Sequence, residues 1–177
     1  MGVEIDVQMT LGGTLAAEHL ADLVEAAYAD GLRPDWDAAP LDVADLADHP
    51  AGEPLTLCGR RGLGDELPAF CQRHGLAYRF AADGDSEGGG IVRVFTGSGA
   101  EREYLAGGVG DDRALLGADT FATLPTREAV AAWFEAANAQ PPAFTVGPPT
   151  PANDAAASPD LEFMLGIVAA HFPGLRV

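Results

Sequence analysis

The chain has no lysine. Its ten basic residues are all arginine, set against 27 Asp and Glu, and the formal net charge is −17. A duplex phosphate backbone would be repelled by such a field, because nucleic-acid affinity comes largely from counterions released by Lys and Arg. An anionic membrane leaflet is disfavoured for the same reason. Aromatic residues are scarce, at 7%, so the core must be built from Leu, Val and Ala. Only two cysteines are present, Cys58 and Cys71, too few for a disulfide framework. No apolar run reaches the 18 or so residues of a membrane span. The N-terminus MGVEIDVQMT has neither a basic nor an apolar leader segment, so no secretory signal is expected. A reducing cytoplasm is the simplest home.

Hydrophobic residues make up 47% of the chain, enough for a packed core rather than disorder. The lysine deficit itself has two bland sources: a GC-rich genome, or a high-salt interior in which ions screen an acidic surface.

Val3, Ile5, Val7 and Met9 alternate with Glu4, Asp6 and Gln8, the period of a half-buried strand. Leu11-Gly12-Gly13 predicts a turn and Thr14 a helix N-cap. Leu15, Leu20, Leu23, Val24, Ala27 and Tyr28 then recur at helical spacing as far as Gly31. Residues 33–53 read as a proline-punctuated connector. Leu55 to Cys58 form a short strand ending at Gly59. Residues 64–74 form a second helix, with Asp65 as its cap and Gly75 as its stop. Strands follow at 77–81, 91–95 and 101–105, the last two joined by a Gly97-Ser98-Gly99 hairpin turn. A helix opens at Thr126 and runs to about Ala139. Six prolines between 141 and 159 mark an extended linker. Ser158-Pro159-Asp160 then signals a last helix carrying Leu161, Phe163, Met164, Leu165, Ile167, Val168 and Phe172.

This order implies an α+β fold: a mostly antiparallel sheet with a ferredoxin-like βαβ start, helices on one face, and a linker-tethered C-terminal helix. The expected division is an α+β domain over 1–140, a Pro-rich linker over 141–159, and a C-terminal helix within 160–177. That helix docks on its own domain or on a partner chain, where it could form a homodimer contact.

Candidate chemistry is sparse. His49, Cys58, Cys71 and His74 are the only clustered soft metal ligands, but only Cys71 and His74 form a close pair, so no metal is expected. Asp83-Asp85-Glu87 lacks the later Glu and the flanking helices of a calcium loop and reads as a solvated turn. The serines Ser86, Ser98 and Ser158 have no nucleophile-elbow pattern. The best ligand candidate is the glycine-rich turn Gly59-Arg60-Arg61-Gly62-Leu63-Gly64. A turn before a helix start presents backbone N–H groups to an anion, and two arginines beside it can clamp phosphate or carboxylate. Arg60, Arg61, Gly62 and Gly64 are therefore the candidate ligand-binding residues. The spacing matches neither the dinucleotide fingerprint nor a Walker loop.

No catalytic set and no cofactor are expected. The leading expectation is a non-enzymatic protein-interaction or regulatory module with a protein partner, without direct nucleic-acid or membrane binding. The alternatives are a small-anion binder or enzyme built on Arg60 and Arg61, and a nucleic-acid mimic whose acidic surface occupies a DNA- or RNA-binding protein.

Overall fold

The computed structural model describes residues 5–61, 64–84, 89–109 and 111–148, and for Arg61, Gly108, Asp111 and Asp112 the backbone alone. The fold is α+β. Strands β1 (Ile5–Ala16), β2 (Leu55–Arg61), β3 (Ala77–Ala82), β4 (Gly90–Phe95), β5 (Arg102–Gly108), β6 (Asp111–Leu115) and β7 (Phe144–Gly147) form one sheet. Its order is β2-β1-β3-β4-β5-β6, antiparallel throughout, and β7 pairs in parallel with the far end of β1. The helices are α1 (Leu20–Ala29), α2 (Val43–Ala47), α3 (Glu66–His74), α4 (Ala118–Thr123) and α5 (Arg127–Ala137).

The period-two pattern does make a strand, but that strand runs on through Gly12 and Gly13 to Ala16. Neither glycine turns the chain. A Cβ at Gly12 would lie 1.7 Å from the carbonyl oxygen of Pro142, and Gly13, at φ +116°, donates its N–H to Ala143. Glycine is needed here because another backbone passes against the strand. Thr14 caps no helix. Its hydroxyl meets that of Thr145 at 2.9 Å, and α1 starts only at Leu20, after a 3-10 turn over Ala17–His19. The stretch expected as linker from 141 therefore opens with β7, and residues 149–177 lie outside the described chain.

β1 and β2 are neighbours and antiparallel, in register from Ile5 opposite Arg61 to Leu11 opposite Leu55. This differs from the parallel strand pair of a βαβ start. The connector supplies the reversal, and it is more structured than its prolines suggest. Asp42 and Asp45 form a capping box that starts α2, and Arg33 bridges to Cys58 along the outer edge of β2.

Helices cover both faces of the sheet rather than one. On one face, Val7, Met9, Leu11, Leu55, Leu57, Tyr78 and Phe80 pack with Leu20, Leu23 and Ala27 of α1 and Leu67, Phe70 and Cys71 of α3. On the other, Ala81, Val92, Val94, Tyr104 and Ala106 pack with Ala137 and Trp133 of α5. Trp133 meets Tyr104 edge to face at 5.1 Å. Central strand β3 is buried along its whole length, so its sequence AYRFAA carries no clean alternation. Its one charged residue, Arg79, is buried and donates to the carbonyl of Ala137, placing a cation at the C-terminal end of α5.

Candidate functional site

Of the expected anion-binding residues, Arg60 lies in strand β2, not in a turn, and Arg61 ends that strand opposite Ile5. The side chain of Arg61, and Gly62 with it, lie outside the described residues. The guanidinium of Arg60 pairs with Asp6 at 3.0 Å and sits over the Trp36 ring, 5.8 Å from its centre. With Gly31, Arg33, Trp36, Asp37 and Gly59 it lines a hollow of about 310 Å³. Arg33 and Trp36 belong to the connector, and no sequence spacing links them to Arg60.

Gly64 has a different neighbour. A Cβ there would lie 2.2 Å from Oδ1 of Asp30. Asp30 is only 6% exposed. Its carboxylate accepts from the backbone N–H of Leu67 at 2.8 Å and of Glu66 at 3.3 Å. The start of α3 therefore already holds an anion, supplied from the end of α1, while Asp65 makes no side-chain cap. This internal carboxylate takes up the N–H groups of Glu66 and Leu67, two of the free donors at the start of α3.

The four soft ligands are not brought together. Cys71 packs in the α1–α3 core. Cys58, flanked in β2 by the core residue Leu57, alternates to the opposite face of the sheet. His49 contacts the carbonyl of Glu53 at 3.0 Å. Among the described residues, no group of three His, Cys, Asp or Glu is placed to hold a metal ion. Burial pushes the Cys71 thiol up to about 12. Burial also raises Cys58, with Asp35 adding to the effect and Arg33 opposing it. Both shifts favour the protonated thiol over the thiolate. Of the acidic turn, Asp83 accepts from the N–H of Val109 at 2.6 Å, and residues 85–88 lie outside the described chain.

A second site lies between α1 and α3. His74, the last residue of α3, stacks on Phe70 with ring centres 4.3 Å apart and meets His19 at 4.4 Å. His19 in turn lies 3.5 Å from Asp22 and 3.7 Å from Glu18. Arg73 crosses the Phe70 ring at 5.9 Å. With Asp22 and Glu25 from α1 and Glu66 and Arg73 from α3, these rings line a groove of about 540 Å³, in which Phe70 is itself buried. Burial holds the His74 imidazole below its ordinary value. His19 and Arg73 add to that effect and Asp22 opposes it. The sequence offered no signal for this meeting, because His19 and His74 sit on separate helices and are joined only by α1 packing on α3.

A third polar cluster is structural. Tyr78 donates to Glu101 and accepts from Gln72. Arg93 pairs with Asp65 at 2.8 Å and lies over the Phe80 ring at 4.3 Å, clamping the first turn of α3 to β4. No helix of the described residues is long and apolar enough to cross a membrane. No protein-family model, curated protein or solved structure matches the chain.

Proposed function

We propose that the protein is a non-enzymatic interaction module whose α1–α3 groove takes a basic segment of a protein partner. The observation that carries this reading is the groove itself, lined by the carboxylates of Asp22, Glu25 and Glu66 with the half-buried rings of His19 and His74 between them, against the single cation Arg73. Carboxylates at the rim attract Lys and Arg and speed encounter. The half-buried imidazoles of His19 and His74 give the apolar stems of Lys and Arg a surface to lie on. The excess of acid over base across the chain strengthens the steering.

The test is an anisotropy titration with an Arg- and Lys-rich peptide carrying one central aromatic. Neutralising the groove with Asp22→Asn, Glu25→Gln and Glu66→Gln should weaken binding about tenfold or more. Neutralising the same number of connector acids, Asp42, Asp45 and Asp48, should weaken it far less. Equal losses would mean charge alone is being read, and the groove reading would fail.

A second reading rests on the hollow at Arg33, Arg60 and Trp36. Two guanidiniums beside an indole suit a small anionic ligand with a planar group. Phosphate or a dicarboxylate should then raise the melting temperature of the protein and leave Arg60→Ala unmoved.

A further inference from the structure

The sheet face that carries α1 and α3 is not covered to its edge. Ile91, Leu105 and Leu115 stand opposite one another across β4, β5 and β6. They point to the α1–α3 side, since their neighbours Val92, Ala106 and Ala114 belong to the core under α5. Ile91 packs at the margin of the core, but Leu105 and Leu115 are 55% and 53% exposed. α4 begins beside this row, since a Cβ at its N-cap Gly117 would lie 3.8 Å from Leu105. Phe121, one turn further on, is also exposed.

We propose that this row is the docking site of the chain's own residues 160–172. Their sequence predicts a helix, and Leu161, Met164, Leu165, Val168 and Phe172 fall at spacings of three and four, on one side of it. A helix with that stripe needs an apolar surface, and the row offers one. The reach is sufficient. The described chain ends at Pro148, just past β7, which lies beside β1. From β1 to β6 is four strand steps, roughly 19 Å at about 4.8 Å each. The row is level with Val7, nine residues or roughly 30 Å back along β1 from Ala16 beside β7. Its far corner is therefore about 35 Å away, and a helix of about 20 Å laid along the strands can begin roughly 10 Å nearer. Residues 149–159 in extended form span about 34 Å. A tether that can span this distance makes docking intramolecular and independent of protein concentration, unlike capture of a second copy in dilute solution. The occupant is therefore the same chain.

Amide hydrogen exchange on the full-length protein tests this. Residues 161–172 should exchange at least about tenfold slower than an unstructured chain, with the same protection from roughly 1 to roughly 100 µM protein. Leu105→Glu and Leu115→Glu should each abolish it while β1 stays protected. Should either variant unfold, Leu165→Glu serves instead. It should free 161–172 and speed exchange in β5 and β6 without touching β1. Unprotected residues 161–172 in the parent protein would overturn the proposal. Protection that grows with concentration alongside a sedimenting dimer would assign the row to a second copy. Protection indifferent to Leu105, Leu115 and Leu165 would place the helix elsewhere.

Discussion

Asp30 holds two backbone donors of α3 in a nearly water-free position, and Gly64 leaves the space it needs. Asp30→Ala should cost about 1–3 kcal/mol, because buried N–H groups lose their acceptor; Asp30→Asn should cost less. Gly64→Ala should cost a similar amount by pushing the carboxylate aside. In the Asp30→Ala background, however, the Gly64→Ala penalty should largely vanish, as a urea double-mutant cycle would show; full additivity would mean the two residues act independently. His74 yields a pH prediction. Its folded-state value lies below the ordinary 6.5, so the unfolded chain takes up a proton first as pH falls. The stability linked to this group is therefore complete above about 6.5 and is lost as pH drops towards the folded value. The urea midpoint should fall between roughly pH 7.5 and pH 5.5, and by less in His74→Gln. The sequence revealed little of either contact. Arg60 was visible as local positive charge, but its partners Trp36 and Asp6 come from the connector and from β1. Asp30 carries no signal in the sequence, because its use depends on where α3 begins in space.

Elements were more legible than contacts. Alternation located the start of β1, and apolar spacing with Gly31 and Gly75 located α1 and α3, since local periodicity is enough when one face is buried. Thr126 was readable as the place where α5 opens, and the structure adds that its hydroxyl caps the helix by accepting from the N–H of Ala129. What failed was any feature decided by a distant strand. Gly12-Gly13 has the composition of a turn, yet it is strand because β7 arrives from 130 residues later in the chain to pair with it. β6 was missed because its five residues, Asp111–Leu115, open with three charged residues and hold too little apolar alternation, and the α5 face was missed because β3 is buried on both sides. Gly12→Ala tests this account. Its methyl would have to displace the Pro142 carbonyl, so the variant should lose about 1–3 kcal/mol. Amides of residues 13–16 should exchange faster than those of residues 7–11. A turn glycine facing solvent would show neither effect.

At the scale of the whole molecule, the dominant fact is an acid excess that the fold does little to neutralise. The chain has 27 carboxylates and ten arginines, and several of those arginines are already committed. Arg60 is held by Asp6 and Arg93 by Asp65, while Arg79 is buried against Ala137. An exposed pair such as Arg60–Asp6 contributes roughly 0–1 kcal/mol, and salt weakens it. Repulsion among the remaining carboxylates opposes the compact state and is weakened by the same salt. The acids outnumber the arginines, so the repulsion should win: added NaCl should stabilise this protein rather than destabilise it. The screening length falls from about 30 Å at 0.01 M to about 3 Å at 1 M, so most of the gain should come below roughly 0.5 M. A gain on the order of 1 kcal/mol would move the melting temperature by about 2–4 °C in a domain of this size. A rise that continues linearly to several molar would instead signal salt excluded from apolar surface, and a fall would mean that the ion pairs outweigh the repulsion. Thermal melts in NaCl distinguish the three, and the same series run near the sequence pI of about 4.3, where the net charge is close to zero, should be much flatter.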